Sequence, residues 1–325
     1  MKSTVKMSES SSLFSSSLSL ANSILGAGIV SLPFALSKLG YVYGTFIFVV
    51  VALYSLASLD FLTRAVITTG KQSFKSLAEH LFGSTAGPLT SALVGTFSFG
   101  FLVAYCNLLT DITHSFLSPF INVPKLFLAI VLSYSILFPL CLLKSLHSLR
   151  YASASTVVVI AYLTFSVVVS SFSYSDPTII VRPAIFDTQS VAALGTVGFA
   201  FACHFLTPNI FRELPAQSRN RKGMFTVCVS GIGTASFFYF IVAYTGYFTY
   251  GNSVEPSILN SLPDSVLVNS ARLLMALVMI CSFPVVYAAV REAIIDIILH
   301  FHHAHSDPND DHSSIKKMVT HMRLI

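Results

Sequence analysis

The chain has 325 residues, of which 54% are hydrophobic and only 10% are charged, with a mean hydropathy of +0.75. Soluble domains carry about 25% charged residues, so this composition excludes an ordinary soluble protein and predicts an integral membrane protein. The net charge of +5 does not indicate nucleic-acid binding, because the basic residues lie between apolar runs and form no continuous patch.

The first apolar run, residues 10–37, carries no charge and is long enough to cross a bilayer. At its centre, Gly26 and Gly28 flank Ala27 in the stretch NSILGAGIVSLP, which begins at Asn22. This pattern predicts that the helix unwinds around the two glycines. Within hydrocarbon, non-helical backbone survives only where protein or a watery cavity meets it, so the break indicates a binding site.

Four more apolar runs complete the first half and predict spans over residues 41–59, 89–110, 126–143 and 151–175. Asp60 and Arg64 lie four residues apart at the end of the second span, where we expect an ion pair on the helix surface. Asp111 and His114 predict a similar interface pair at the end of the third span. The polar connection at residues 173–188 is the candidate boundary between two halves.

The second half contains three apolar runs, which predict spans over residues 190–211, 223–254 and 273–290. His204 and the run Thr207-Pro208-Asn209 interrupt the first of these, the sixth span. Pro208 lacks a backbone N–H and clashes with the carbonyl four residues earlier, which predicts a kink or a break at His204. The sixth span is therefore expected to be broken, as the first span is.

Lysine and arginine residues are divided unequally between the two sides of this eight-span arrangement. With the N-terminus inside, 15 of the 19 fall on the cytoplasmic side, which is a strong positive-inside bias. The sequence therefore predicts a cytoplasmic N-terminal segment (residues 1–10), a transmembrane transporter domain (residues 11–298) and a polar cytoplasmic tail (residues 299–325). Interrupted helices that open spans one and six are typical of transporters built from two inverted repeats.

A family resemblance rests on four segments: SLANSILGAGIVSLPFALSKLG (residues 19–40), LLKSLHSLRYASAST (142–156), FAFACHFLTPNIFREL (199–214) and GYFTYG (246–251). In these segments the chain resembles the amino acid/auxin permease family, and most of all its branch of sodium-coupled neutral amino acid transporters. The resemblance implies an all-α, LeuT-like inverted-repeat fold, with the substrate held between spans one and six. The family pattern has eleven spans, whereas we predict about eight transmembrane helices here. We therefore expect a first repeat at residues 11–175 and a truncated second repeat at residues 190–298.

The same resemblance implies a sodium ion held by Asn22, by carbonyl groups of the unwound first span, and by Ser282 in the eighth span. The residues themselves leave alternatives open. Asn22 also suits a hydrogen bond between two helices. A serine in a membrane helix, such as Ser282, commonly bonds its own backbone instead.

We expect the substrate to contact both breaks, and the candidate substrate-binding residues are Ser23, Gly26, Ala27, Gly28, Phe201, His204 and Thr207. Freed N–H groups and a half-helix N-terminus near Gly26 and Gly28 suit the substrate carboxylate. Close helix packing is the alternative reading of these glycines. His204 titrates near neutral pH, so it suits either proton coupling or a hydrogen bond that orients the broken helix.

These features predict secondary active transport of small neutral amino acids by alternating access, coupled to sodium or protons. The alternatives are a non-transporting amino acid sensor, a degenerate or truncated paralogue, and an incomplete sequence. Enzyme activity is not expected, because the sequence has no nucleophile–base grouping, phosphate-binding loop or zinc-ligand spacing. The expected partners are an amino acid and the lipid bilayer, with no cofactor beyond the coupling ion. The plasma membrane and the vacuolar or lysosomal membrane both suit the family.

Overall fold

The structure is a computed structural model that describes residues 12–71, 73–142, 155–174 and 179–305, with side chains as far as residue 300. The regular secondary structure in these ranges is helical, which confirms the all-α prediction. The helices are α1 (Leu13–Ile24), α2 (Gly28–Leu39), α3 (Tyr41–Thr69), α4 (Phe74–Phe82), α5 (Ala86–Leu117), α6 (Lys125–Cys141), α7 (Thr156–Phe172), α8 (Thr188–Ala200), α9 (Thr207–Glu213), α10 (Arg221–Tyr250), α11 (Ile258–Ser261) and α12 (Val266–His305).

Apolar helices lie where the sequence predicts spans. In the described part of the chain, five helical segments are long and apolar enough to cross a membrane, and α1 with α2 makes a sixth, bent one. The predicted fourth and fifth spans, α6 and α7, are shorter apolar helices. Large apolar side chains on the outer surfaces of the long helices are well exposed, as Phe46 of α3 and Leu93 of α5 are at 62% and 63%. Such a surface suits lipid and not water, so the chain is a multi-pass membrane protein.

The first span is broken where the sequence predicts, with α1 and α2 bent by 56° across residues 25–27. Neither Gly26 nor Gly28 has a positive φ, so these glycines are not required for backbone freedom. A Cβ on Gly28 would lie 3.0 Å from the Cβ of Ala200 and 3.1 Å from its Cα. Gly28 therefore serves close packing of α2 against α8, which was the alternative reading of this glycine.

The sixth span is also broken, and the break at residues 201–206 includes His204, where the sequence predicts it. α8 ends at Ala200, residues 201–203 are not helical, and a 3-10 turn at His204–Leu206 leads into α9. Pro208 lies in the first turn of α9, where the missing N–H of proline has no helical acceptor to lose. The predicted break at His204 is therefore confirmed, but Pro208 starts the second half-helix and does not bend the first.

α10 runs along both halves of the first span and holds their bend. A Cβ on Gly231 would lie 2.9 Å from the side chain of Leu20 in α1. A Cβ on Gly246 would lie 2.7 Å from the Cβ of Pro33 in α2. Small residues let membrane helices approach this closely, so these two glycines fix α10 against α1 and α2.

The connection at residues 179–187 packs onto one end of the bundle, which we call the loop end. The N–H of Tyr41 donates to the carbonyl of Arg182 at 3.0 Å, at the start of α3. Gly40 has a φ of +83°, and a Cβ there would lie 2.7 Å from the backbone nitrogen of Ala184. Glycine is the residue that tolerates both the positive φ and the close backbone contact, so the connection packs directly on Gly40.

α8 begins at the loop end with a capping box. The Asp187 carboxylate accepts the Ser190 backbone N–H at 2.8 Å, and the Ser190 hydroxyl accepts the N–H of Asp187. This backbone hydrogen bond from Ser190 lowers the pKa of the Asp187 carboxyl. Two orphan donors at the helix start are satisfied in this way, which explains why the sixth span starts at residue 188.

Ion pairs link helices at the opposite end of the bundle. The predicted pair of Asp60 and Arg64 is present at 2.7 Å, and Asp60 also accepts Arg221 of α10 at 2.9 Å. Lys75 of α4 contacts Asp296 of α12 at 2.9 Å. These contacts tie α3 to α10 and α4 to α12, away from the loop end.

Some predicted features lie outside the described residues. They are the N-terminal segment at residues 1–10, the start of the predicted fifth span with most of the segment at residues 142–156 (residues 143–154), the centre of the half boundary at residues 175–178, and the tail beyond residue 305. α12 continues through the first residues of the predicted tail, as far as His305.

Candidate functional site

The two broken spans meet at their breaks. The first turn of α2 packs on the last turn of α8, where a Cβ on Gly28 would lie only 3.0 Å from the Cβ of Ala200. Behind them, Tyr239 of α10 is fully buried. The breaks therefore share one location in the bundle, as the inverted-repeat arrangement predicts.

A half-open cavity of about 920 Å³ lies beside this meeting point. Ala27 and Gly28 line it at the first break, Phe199 lines it at the end of α8, and Asn107 lines it from α5. The lining continues along α8 from Phe199 to Ala192, which is about 10 Å at 1.5 Å per residue. A volume of this size suits a small-molecule site, and the cavity leads from the loop end to the break.

The start of α2 forms the end of the cavity at the first break. Ala27 is the N-cap residue of α2, and no side chain caps this helix end. The N–H groups in the first turn of a helix lack helical acceptors, and the helix dipole favours an anion there. Because Ala27 and Gly28 both line the cavity, this end suits a carboxylate group.

Tyr239 joins the two breaks through its hydroxyl group. Its Oη lies 2.6 Å from the carbonyl oxygen of Ile24, at the end of α1. The same Oη lies 2.9 Å from the carbonyl oxygen of Ala200, at the end of α8. One buried O–H thus serves the last carbonyl of each first half-helix, where the helix no longer supplies donors.

Sequence reasoning missed Tyr239, because the residue lies within an apolar run that reads as an unbroken span. A hydroxyl-bearing side chain at the centre of such a run was the available signal. In hydrocarbon, freed carbonyl groups need donors, so two broken helices imply a donor from a neighbouring helix. The sequence does not tell which of the neighbouring helices supplies it.

Asn22 is half-buried near the end of α1 and makes a hydrogen bond between helices. Its Oδ1 accepts the backbone N–H of Val157 at 3.1 Å, in the first turn of α7. This bond is the alternative reading of Asn22. Ser282 is half-buried in α12. At the first break, Asn22 Oδ1 and the Ile24 carbonyl already accept hydrogen bonds. A sodium ion bound there would share these oxygens with their hydrogen-bond donors.

Three of the other candidate residues lie outside the cavity lining. Ser23 is exposed, and its hydroxyl donates to the carbonyl of Ser19 at 2.8 Å. A Cβ on Gly26 would lie 3.4 Å from the hydroxyl of Tyr105. Phe201 is fully buried and packs edge-to-face on the ring of Tyr239, with centroids 5.2 Å apart. Phe201 therefore positions the bridging tyrosine and does not contact the cavity.

His204 and Thr207 lie on the side of the sixth span that packs against the bundle. His204 Nε2 lies 2.6 Å from the hydroxyl of Ser58 in α3. Thr207 is fully buried, and its hydroxyl has no hydrogen-bond partner in the described part of the chain. Of the seven candidate substrate residues, Ala27 and Gly28 are the two that line the cavity.

An aromatic cluster closes the cavity on the side away from the loop end. Phe199 packs on Phe101 with ring centroids 4.1 Å apart and on Phe97 at 5.5 Å. Phe97 and Phe101 precede Ala104, the first α5 residue of the cavity lining. The cluster therefore separates the cavity from the end of the bundle where Asp60 binds Arg221.

Asp111 pairs with a residue different from the one predicted. Its Oδ1 lies 2.7 Å from Nζ of Lys125, the first residue of α6. Both side chains line the cavity at the loop end. The predicted pairing of Asp111 with His114 is therefore replaced by an ion pair between α5 and α6, which the sequence spacing of 14 residues does not reveal.

Comparisons with known proteins identify the kind of chain to which this architecture belongs. Residues 9–325 match the family model described as transmembrane amino acid transporter protein. The chain is similar to vacuolar amino acid transporter 5 of Schizosaccharomyces pombe, with 29% identity over 316 residues that cover 93% of this chain and 73% of the relative. This match confirms the resemblance to the amino acid permease family.

Two further relatives come from yeast and from a plant. Vacuolar amino acid transporter 6 of Saccharomyces cerevisiae is 26% identical over 305 residues, which cover 89% of this chain and 67% of the relative. Amino acid transporter AVT6E of Arabidopsis thaliana is 26% identical over 315 residues, which cover 88% of this chain and 63% of the relative. The chain thus corresponds to 63–73% of the length of these three relatives.

Proposed function

Because the chain belongs to the transmembrane amino acid transporter protein family, we propose that it carries amino acids across a membrane by alternating access. The observation that carries this proposal is the cavity that ends at the uncapped start of α2, beside the meeting point of two broken spans. A helix start of this kind holds a carboxylate, which every amino acid has.

The cavity lining near the break favours a small neutral substrate. Val30, Phe34 and Leu108 supply apolar surface, and Ser31 and Thr196 supply hydroxyl groups. The charged residues of the cavity lining are at the loop end and not at the break. A charged substrate side chain would find no partner beside Gly28, and burying an unpaired charge is costly.

The cavity is open toward one end of the bundle and closed toward the other, which supports alternating access. The cavity lies toward the loop end, while the aromatic cluster around Phe199 and the pair of Asp60 with Arg221 hold the opposite end together. Transport requires a second state in which these contacts separate and the loop end closes. Broken helices supply hinges for such a change.

We propose a sodium or proton gradient as the driving force and the vacuolar membrane as the location. The similarity to two yeast proteins named vacuolar amino acid transporters supports this location. The distribution of basic residues supports a cytoplasmic N-terminus, which would direct the loop end toward the vacuolar lumen.

The proposal is tested with the purified full chain in proteoliposomes. We expect uptake of radiolabelled L-alanine, L-leucine or L-glutamine above that of empty liposomes, under an imposed sodium gradient or proton gradient. Gly28→Val should abolish uptake, because its side chain would fill the space against Ala200. Gly198→Val is the matched control, since a Cβ there meets nothing within 4 Å.

The outcome that overturns transport is the absence of flux for these amino acids under both gradients. Thermal stabilisation of the protein by an amino acid without flux would instead identify an amino acid sensor. In that case Gly28→Val should remove the stabilisation, and Gly198→Val should keep it.

A further inference from the structure

Two arginines from different helices share one carboxylate at the end of the bundle opposite the loop end. Nη2 of Arg64 in α3 lies 2.7 Å from Oδ2 of Asp60, and Nη2 of Arg221 in α10 lies 3.0 Å from the same oxygen. Each guanidinium also donates to Asp60 from its Nε. The two cationic groups therefore lie close enough together for one further anion to contact both.

The two guanidinium groups keep an outward side that a ligand can reach. Asp60 lies on their inner side, with 11% of its side chain exposed, whereas the side chains of Arg64 and Arg221 are 48% and 54% exposed. The Nη1 group of each arginine has no hydrogen-bond partner among the described residues. Asp60 thus occupies one edge of each guanidinium and leaves another edge open.

The balance of charge in this group favours an anion with two negative charges. Lys222 follows Arg221 at the exposed start of α10. Together with Arg64 these residues make three cations around the single carboxylate of Asp60, which leaves two positive charges without a partner in the group. A phosphate monoester carries nearly two negative charges and three acceptor oxygens at neutral pH, and guanidinium forks match phosphate oxygens. The group therefore suits a phosphate monoester.

Exposed aromatic rings place this group at the edge of the lipid hydrocarbon. Phe61 is 66% exposed and lies one turn before Arg64, whose Cζ is 5.5 Å from the centre of the ring. Phe225 is 43% exposed and lies one turn after Arg221. Residues three or four apart share a helix face, so on each helix the ring lies on the same face as the arginine and about 5 Å deeper in the bundle. Apolar surface of this kind faces lipid, so the arginines lie at the level of the lipid headgroups.

We infer that Arg64, Arg221 and Lys222 bind an anionic phospholipid whose headgroup carries a phosphate monoester. The phosphate accepts hydrogen bonds from the outward edges of both guanidiniums and from Lys222, while Asp60 keeps the inner edges. The acyl chains lie along the two exposed phenylalanine rings, which a soluble phosphate or an acidic peptide would leave uncovered. Basic clusters beside transmembrane helices recognise lipid headgroups in this way. The bound lipid bridges α3 and α10.

This inference goes beyond the proposed transport and does not depend on it. It is tested by binding to the purified full chain in an uncharged detergent, with dioctanoyl phosphatidylinositol 4-phosphate as the probe. Dioctanoyl phosphatidylinositol has the same chains without the monoester, and inositol 1,4-bisphosphate has the phosphates without the chains. Microscale thermophoresis should show that the probe binds at least about tenfold more tightly than either comparator. The probe should also raise the thermal unfolding temperature, because it binds the folded chain.

Substitutions of the three cations separate this site from a general effect of charge. Arg64→Gln and Arg221→Gln should each weaken binding of the probe about tenfold, since each removes a charge-assisted contact. Lys222→Gln leaves both ion pairs of Asp60 in place, so it keeps the fold of the wild type, and it should weaken binding about threefold. Arg182→Gln is the matched control, because it removes an exposed cation at the loop end. It should leave the affinity unchanged.

The inference is overturned if the probe binds no more tightly than dioctanoyl phosphatidylinositol, or if Arg182→Gln weakens binding as much as Lys222→Gln does. Equal affinity for inositol 1,4-bisphosphate would reject a lipid in favour of a soluble phosphate. Equal affinity for a hexaglutamate peptide would reject it in favour of an acidic protein segment. Absence of amino acid flux in proteoliposomes would leave the lipid affinity as it is, so the two proposals fail by different measurements.

Discussion

The two broken spans look alike in the sequence and differ in the structure. The first break opens onto the cavity, where Ala27 and Gly28 present an uncapped helix start. The second break faces inward, with Phe201 and Cys203 fully buried. The sixth span contributes its residues before the break to the cavity, from Ala192 to Phe199. The first break therefore offers a ligand site, and the second break packs against protein behind it.

This difference arises from the neighbours of each break. The start of α2 borders open space between α5, α6 and α8, whereas residues after Ala200 pack against α3 and α10. Polar residues in a break thus indicate that backbone groups need partners, but they do not tell whether protein or ligand supplies them. His204 contacts the Ser58 hydroxyl, and Thr207 is fully buried in protein.

Among substitutions that remove or add a single small group, the largest effect is expected at Tyr239, the residue that joins the two breaks. Tyr239→Phe keeps the ring against Phe201 and removes the donor to the carbonyls of Ile24 and Ala200. Leaving a buried acceptor unsatisfied costs about 1–3 kcal/mol, so we expect uptake to fall by roughly tenfold to a hundredfold. Initial rates in proteoliposomes measure this change.

Tyr247→Phe is the matched control for this variant. Tyr247 is also fully buried on α10, but its hydroxyl accepts the backbone N–H of Arg182 at the loop end. It should reduce uptake by less than threefold. Equal rates for Tyr239→Phe and the wild type would show that the two breaks do not depend on this shared donor.

The next largest effect is expected from adding one methyl group at the first break. Gly28→Ala places a Cβ 3.0 Å from the Cβ of Ala200 and 3.1 Å from its Cα, so the helices must separate by a few tenths of an ångström. Overpacking of this kind costs about 1–3 kcal/mol, and we expect about tenfold slower uptake. Gly26→Ala meets the Tyr105 hydroxyl at 3.4 Å and should stay within threefold. Equal effects of the two substitutions would contradict the packing role of Gly28.

The sequence predicts the positions of the helices better than it predicts which helix faces pack together. The apolar runs locate the spans, and Gly26 and Gly28 locate the first break, because hydropathy and glycine content act along the chain. The pairing of Asp111 with Lys125 and the bridge from Tyr239 depend on which helices become neighbours. Such contacts follow from packing in three dimensions, so the sequence does not tell which partner each of these side chains meets.

A smaller effect is expected at Asn22, where the structure and the family resemblance suggest different roles. Asn22→Ala removes the acceptor of the Val157 N–H at the start of α7, which costs about 1 kcal/mol of stability. Asn22→Asp keeps an oxygen at that position and should retain most of the stability. Thermal unfolding in detergent measures both variants. A raised sodium requirement for uptake in Asn22→Ala would show that Asn22 also holds the coupling ion.

The smallest effect is expected at His204, which lies on the supporting side of the second break. Its Nε2 contacts the Ser58 hydroxyl at 2.6 Å, and the side chain does not line the cavity. His204→Gln keeps a polar group there, and Ser58→Ala removes its partner, at a cost of about 1 kcal/mol. We expect uptake within about fivefold of the wild type and the same pH dependence for both variants. A change in the pH profile for His204→Gln, without one for Ser58→Ala, would assign His204 to proton coupling and give the second break a direct part in transport.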